Sequence, residues 1–488
     1  MKYILAMDQG TTSSRTILYD KSGSLIDKYS IEYPIYSPHP GWMEQDPNDI
    51  LNSQIETARE IIKRNNISSE EIISVGISNQ RETTIIWDKN TGKPAYNAIV
   101  WQCRRSSDIC EKFSNYKGEI HKKTGLYLDP YFSSTKLKWL FENIDGLKRR
   151  AQNGELLFGT VDSWLIYNLT GNHFTDMTNA SRTMLYNINT LEWDKTLLDL
   201  FDIPESILPE VKNSNANYGN IKKEILGISA PITGVLGDQQ ASLFGQVCLN
   251  KGDLKNTYGT GCFMLMNTKE TKFSKNGLLT TIGYSINNEV DYCLEGSVFT
   301  AGALIKWLRD NLGIIKNAKE TEELARKVED NSEVYIVPAF SGLGAPYWDM
   351  KARGIITGLT SKVTKEHIVR ASLEAIAYQV KDIYNVFMKD GGQISKMKVD
   401  GGASENNFLM QFQSDILKKK IIRPKITETT SLGAAYMSAI GAGIMDKDDL
   451  KDIYEIDKTY KNTMNDEDIK NLYSQWKNAV KKASTKQL

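Results

Sequence analysis

Apolar and polar positions fall into short blocks along this chain, and the first block already departs from ordinary strand-and-turn patterning. An apolar run at residues 3–7 stops at Asp8, the stretch DQGTTSSR fills 8–15, and apolar positions return at 17–19. Such blocks predict two strands, over 3–8 and 15–20, joined by a turn. A tight hairpin needs only two turn residues, so an acid and four hydroxyl side chains exceed what folding asks for.

The same patterning places strands over 73–78 and 83–88, read as a second hairpin around residues 79–82. A helical stripe follows at Leu137, Leu140, Phe141, Ile144 and Leu147. A strand over 232–236 runs into GDQQAS, and LKNTYGTGCFMLMN at 254–267 repeats the opening order of strand, Gly/Thr turn, strand. That repetition reads as an internal duplication, one hairpin opening each half. Val369, Leu373, Ile376, Val380, Ile383 and Phe387 recur every three to four residues and predict a helix buried along one side. VDGGASENN at 399–407 ends a strand and opens a helix. SLGAAYMSAIGAG at 431–443 is a helix small enough to pack closely, and the Lys-rich end, KNAVKKASTKQL, reads as a frayed, solvated helix.

Length turns this pattern into an architecture. A chain of 488 residues exceeds what one core supports, so two domains are expected, 1–245 and 246–488, with a cleft between them. Lys plus Arg and Asp plus Glu both number 60, a balance that argues against nucleic acid or a membrane surface as partner and favours a small molecule. No stretch reaches the roughly 20 apolar residues of a membrane span, and the first apolar run is too short for a secretory leader. A cytoplasmic protein is expected. The five cysteines lack CxxC spacing and read as buried thiols, and the four histidines form no ligand pairs.

The turns carry the candidate chemistry. Backbone N–H groups of a Gly/Thr/Ser turn form a nest for anionic oxygen, to which Thr11, Thr12 and Ser13 add hydroxyls and Arg15 a fixed charge. Asp8 would repel bare phosphate and fits if hydrated Mg²⁺ lies between them; alternatively, it satisfies backbone donors in a polar turn. A second turn, YGTGC at 258–262, could grip the same polyphosphate from the other side, and the glycines of DGGA at 400–403 would let a flat ring approach the backbone. Neither GxxxxGK[ST] nor GxGxxG occurs. Asp238, in GDQQAS, stands where a general base for an alcohol should be, although an Asp there also reads as a helix N-cap. Arg81 and Glu82 offer a donor fork beside an acceptor, as a polyol requires, or else form a surface ion pair. Trp101 in VWQCRR and Tyr131 in DPY supply an aromatic wall or ordinary core.

In this order DQGTTSSR, NQRETT, VWQCRR, DPYFSSTKLKW, TNASRTML, GDQQASLFGQ, NTYGTGCFMLMNT, PAFSGLGAPYWD and VDGGASENNFLMQFQSDIL resemble the FGGY carbohydrate kinases, from about residue 3 to about 480. NQRET and WQCRR resemble the glycerol-phosphorylating branch. The resemblance implies an α/β fold of two actin-like, ribonuclease-H-like domains, with ATP and glycerol meeting in the cleft to give sn-glycerol 3-phosphate and ADP. By motif it makes Asp238 the catalytic base and Arg81, Glu82, Tyr131, Asp238 and Gln239 the glycerol ligands, with Trp101 and Phe263 as the apolar wall. Thr11, Thr12, Ser13 and Arg15 match the first phosphate loop and Thr260 the second; Gly302, Gly402 and Asn406 match the adenosine side; Asp8 and Asp238 match the magnesium neighbourhood.

There are departures. Lys306 stands where many members carry a glutamine near the nucleotide. The stretch YGNIKKEILGISAP at 218–231 lacks the arginine through which some members bind fructose 1,6-bisphosphate, and no histidine lies between His173 and His367, where others are phosphorylated. Both kinds of regulation are expected to be absent, and the resemblance implies a homodimer or homotetramer. A pentulose or tetritol kinase of the same family, and an actin- or chaperone-like ATPase, remain the alternative readings.

Overall fold

A computed structural model describes residues 2–340, 342–347 and 349–486. Two residues of the PAFSGLGAPYWD motif, Ser341 and Trp348, and the last two of the Lys-rich end lie outside the described residues.

The first sheet is built from β1 (Tyr3–Gln9), β2 (Ser13–Asp20), β3 (Leu25–Glu32), β4 (Ile72–Asn79), β5 (Gly219–Asn220) and β6 (Pro231–Gly237), in the order β5-β6-β4-β1-β2-β3. β1 is buried on nearly its whole length because it lies mid-sheet, antiparallel to β2 and parallel to β4, whereas the edge strand β3 alternates between exposed and half-buried positions. The second sheet comprises β7 (Leu254–Tyr258), β8 (Cys262–Asn267), β9 (Leu279–Ile286), β10 (Glu289–Val298), β11 (Lys396–Asp400), β12 (Lys420–Pro424) and β13 (Ile456–Tyr460), in the order β9-β10-β8-β7-β11-β12-β13. The five strands β3-β2-β1-β4-β6 find their counterparts in β10-β8-β7-β11-β12. In both sets two antiparallel pairings are followed by two parallel ones. The duplication expected from the two Gly/Thr hairpins is thus present in the topology.

Helices cover the sheets. α1 (Pro47–Arg64) begins at Asp46, whose carboxylate accepts from the Asn48 N–H, and lays Ile50, Ala58 and Ile61 towards β2 and β3. α2 (Asp238–Gly245) follows β6 directly, and α3 (Gly302–Asp310) lies beyond β10. α4 (Lys365–Lys389) buries the whole stripe Val369, Leu373, Ile376, Val380, Ile383 and Phe387. α5 (Asn407–Leu417), α6 (Thr429–Gly441) and α7 (Asp466–Ala483) complete the second half.

α6 comes from the second half yet packs on the first sheet, against β1, β4 and β6, and on α2. Glycine makes this contact possible. A Cβ on Gly433 would sit 1.8 Å from the Ala241 carbonyl, and one on Gly245 would sit 2.0 Å from that of Thr429. Ile4, Ala6, Ile17 and Leu236 of the first sheet share one buried cluster with Leu432, Ala435 and Met437 of α6.

Three expectations are corrected. Residues 73–78 and 83–88 form no hairpin: β4 pairs with β1 and β6, whereas Ile85–Asp88 pairs with Leu156–Gly159. The stripe from Leu137 to Leu147 spans two helices, Ser133–Asn143 and Leu147–Gln152, separated by Gly146 at φ 73°. The Lys-rich end is docked through Trp476, Ala479, Val480 and Ala483, all buried in the core of the second half. Lys481 and Lys482 lie on the outer face of an amphipathic helix, which composition alone disguised. All five cysteines are buried and unpaired. No helix among the described residues is long and apolar enough to cross a membrane.

Candidate active site

Both Gly/Thr hairpins are fixed from behind. In the first, the Gly10 N–H donates to the Ser13 carbonyl, Gln45 Nε2 donates to the Thr11 carbonyl at 2.5 Å, and the Tyr33 hydroxyl donates to the Gly10 carbonyl. In the second, the carbonyls of Gly259 and Thr260 accept the N–H groups of residues 301–303 at the start of α3. A side chain at Gly302 would put its Cβ 2.6 Å from the Gly259 oxygen, which is why this helix must open on glycine. At DGGA the constrained residue is Gly401, with φ +83° and the Tyr258 carbonyl 2.5 Å from a Cβ; the space at Gly402 is open. Asn406 caps α5 by accepting from the Leu409 N–H and donates to Thr321.

Between the hairpins lies a cleft of about 1770 Å³. Ten residues singled out from the sequence line it: Thr11, Thr12, Arg81, Glu82, Trp101, Tyr131, Asp238, Gln239, Thr260 and Phe263. Asp8, Ser13, Arg15, Gly302, Gly402 and Asn406 are not part of its lining. Arg15 is paired with Glu428, which also takes Lys28 at 3.0 Å, and Lys306 is exposed on α3. The rings of Trp101 and Tyr131 meet edge to face at 5.6 Å, Phe263 closes in at 6.5 Å, and the Trp101 indole donates to Thr11 Oγ1 at 2.9 Å. Arg105 holds the VWQCRR turn in place, stacked on Trp42 and Trp139 and paired with Glu44 at 2.7 Å.

The floor is a buried ionic lattice joining the two halves. Arg81 Nη1 and Nη2 reach the two oxygens of Glu295, on β10, at 2.6 and 3.1 Å, while its Nε faces Asp238 Oδ1 at 3.2 Å. Arg182 Nε donates to Glu82 Oε1 at 2.6 Å and its Nη2 to Glu295 Oε1 at 3.1 Å. Arg81, Glu82, Arg182 and Glu295 are all at most 2% exposed, so the surface ion pair considered for Arg81 and Glu82 is excluded. Burial opposes the charge of Glu295, but Arg182 and Arg81 outweigh it and hold the carboxyl down at about 2.

Glu82 occupies the left-handed region at φ +60°, rare for a residue with a side chain. Its carbonyl accepts from Lys136 Nζ at 2.9 Å, and the same ammonium donates to the Tyr131 carbonyl at 2.8 Å. Burial pushes Lys136 down to about 7.

Asp238 heads α2 as its first helical residue; the preceding Gly237 takes the N-cap position, so the N-cap reading of Asp238 is replaced. It is the most exposed acid of the group, at 30%. Asp8 accepts from Ser78 at 2.8 Å, and burial raises it to about 6 against the pull of Arg15 and that hydrogen bond, with Asp238 among the groups raising it further. Asp8 beside the first Gly/Thr turn, and Asp238 near enough to influence its charge, fit a hydrated Mg²⁺, which needs few protein ligands. No cluster of three or more metal-ligating side chains occurs among the described residues.

After these contacts, Asp238 Oδ2, Glu82 Oε2 and Gln239 Nε2 keep no hydrogen-bond partner among the described residues. The cleft thus offers unpaired acceptors and a donor alongside three aromatic rings, between the two Gly/Thr turns.

Family models match both halves: the N-terminal domain of the FGGY family of carbohydrate kinases matches residues 3–245, and the C-terminal domain matches 254–442. The chain belongs to the FGGY carbohydrate kinases. Among its curated relatives, Glycerol kinase 2 of Thermotoga maritima is 54% identical over 99% of each chain, and the glycerol kinase of Clostridium perfringens is 53% identical over 99% of this chain and 98% of its own. The solved Plasmodium falciparum glycerol kinase with ADP superposes with a TM-score of 0.93 at 39% identity, covering 100% of this chain and 99% of its own. A ligand-bound xylulose kinase from Lactobacillus acidophilus shares the fold, with a TM-score of 0.89 at 24% identity, over 99% and 98% of the two chains.

Arg182, Glu295 and Lys136 are residues of the candidate site that sequence reasoning missed, as is Lys255, whose Nζ donates to Gln239 Oε1 at 2.6 Å. Two signals were present. Arg182 lies inside the TNASRTML motif, and Glu295 is a lone charge in the otherwise apolar run Cys293–Gly296.

Proposed function

We propose that this FGGY kinase transfers the γ-phosphoryl group of ATP to glycerol, giving sn-glycerol 3-phosphate and ADP. The carrying observation is the set of unpaired polar atoms on Glu82, Asp238 and Gln239 within the Trp101–Tyr131–Phe263 cage, which suits a small molecule with neighbouring hydroxyls on a short carbon chain. Arg81 and Glu82, fixed by Glu295 and Arg182, orient the polyol. Asp238 Oδ2 accepts the proton of one terminal hydroxyl as its oxygen bonds to the γ-phosphorus and the bond to the bridging oxygen of ADP breaks. The hairpins of Thr11–Ser13 and Thr260 supply N–H and hydroxyl donors to the phosphate tail, and Gly302, Gly402 and Asn406 border the adenosine. Asp8 and Asp238 would hold Mg²⁺, which supplies charge neutralisation on the phosphates. Closing the two halves excludes water from the reacting groups. The glycerol kinases among its relatives support this choice of substrate, and the family resemblance supports a cytosolic homodimer or homotetramer.

The test is ADP release with ATP and, in turn, glycerol, dihydroxyacetone, erythritol and xylulose. Glycerol is expected to give the highest kcat/KM, because a site with buried polar groups rejects a molecule that leaves them unpaired by roughly 10⁴–10⁵-fold. Preference for erythritol or xylulose would move the protein to another branch of the family. ATP hydrolysis at the same rate without any polyol would overturn the reading altogether.

A further inference from the structure

Lys255 takes no part in the steps above, yet it is fully buried on β7 and reaches the polyol site from the second half. Its Nζ donates to Gln239 Oε1 at 2.6 Å and to Thr257 Oγ1 at 2.9 Å. Thr257 is held in turn: its hydroxyl lies 3.1 Å from Ser242 Oγ, which donates to Asp400 Oδ2 at 2.7 Å. The ammonium is therefore confined. Burial pushes Lys255 down to about 8, while Asp400 and Asp238 favour its charge.

An ammonium carries three donors and no acceptor. Gln239 can therefore face it only with the amide oxygen; the flipped amide would set N–H against N–H and leave the buried Lys255 donor unpaired. The amide nitrogen consequently points away from Lys255, no described residue accepts from it, and Gln239 is among the residues that line the cleft.

We propose that Lys255 is a positioning residue that sets the hydrogen-bond polarity of Gln239, so that the polyol site presents a donor there beside the Asp238 acceptor. Two adjacent oxygens of the substrate are then read differently: one must give a proton, the other need only accept. A hydroxyl and a carbonyl oxygen both satisfy the Gln239 position, whereas a deoxy carbon does not. This inference rests on the polyol-kinase reading of the site.

A double-mutant cycle on the full chain tests it. Lys255→Met, which keeps the length of the side chain and removes the donor, is expected to raise KM for glycerol roughly 5- to 150-fold with kcat changed far less, the range of one lost buried hydrogen bond. Gln239→Ala should raise KM comparably, and adding Lys255→Met to it should change KM less than about twofold, since Lys255 then has nothing to orient. Additive effects in the double variant, or a fall in kcat with KM unchanged, would overturn the proposal. Gln239→Glu covers the case in which Lys255→Met does not fold: it keeps the Lys255 contact but turns an acceptor towards the substrate, so KM for dihydroxyacetone, whose carbonyl oxygen has no proton to give, should rise at least tenfold. An unchanged KM in that variant is equally fatal. Absence of glycerol-dependent ADP release in the unmodified protein would instead count against the function, which keeps the two failures apart.

Discussion

Asp8 feels the charge of Asp238 but meets different surroundings. Asp8 is raised to about 6 chiefly by burial, so between its unfolded value of 3.8 and 6 the folded state holds a proton that the unfolded chain has lost. Stability must therefore fall as pH rises across that window and stay reduced above it. Asp8→Asn removes the cost. In the ligand-free protein it is expected to raise Tm at neutral pH, with the advantage shrinking towards about pH 4, in paired thermal melts. Turnover should be lost in the same variant, because the neutral amide is a poor partner for a phosphate-bound cation. Asp238→Asn separates chemistry from binding: kcat is expected to fall about 10²–10⁴-fold, the worth of a general base, while calorimetry still detects ADP. At this scale the sequence exposed the residues that border the cleft, since they lie in turns where charge has no folding purpose. It hid Lys136, Lys255 and Glu295, whose charges sit on a helix or strands and acquire meaning only from partners distant in the chain.

At the scale of elements, strand and helix identities were legible and their partners much less so. Period-two patterning is the same for a hairpin strand and for a strand in a parallel pairing, which is why β4 was joined to the wrong neighbour. The small-residue stretch of α6 predicted a close approach but could not say to what. The answer, α2, makes a sharp prediction. Gly433 lies against the backbone of Ala241 and Gly245, which cannot move aside as a side chain would. Gly433→Ala is expected to cost at least about 1–3 kcal/mol of stability, read from the denaturant midpoint. Because α2 begins at Asp238, turnover should fall with it.

Across the whole molecule, the two halves meet at a pair of arginines and a pair of glutamates. Glu295 is the only member of that lattice from the second half, and it grips both arginines of the first. Glu295→Ala would leave two buried guanidinium groups short of a counter-charge and is expected to lower the unfolding free energy by about 3–5 kcal/mol in urea titrations. A duplicated architecture was visible in the repeated hairpin; the crossing of α6 onto the opposite sheet was not, since nothing in local patterning records it.

That crossing bears on how the chain can be divided. A fragment stopping at residue 245 would carry every strand of its own sheet yet present Ile4, Ala6, Ile17 and Leu236 to water, with their cover left on the missing piece. Each half is a lock without its bolt, and only co-expression of both fragments should yield soluble protein.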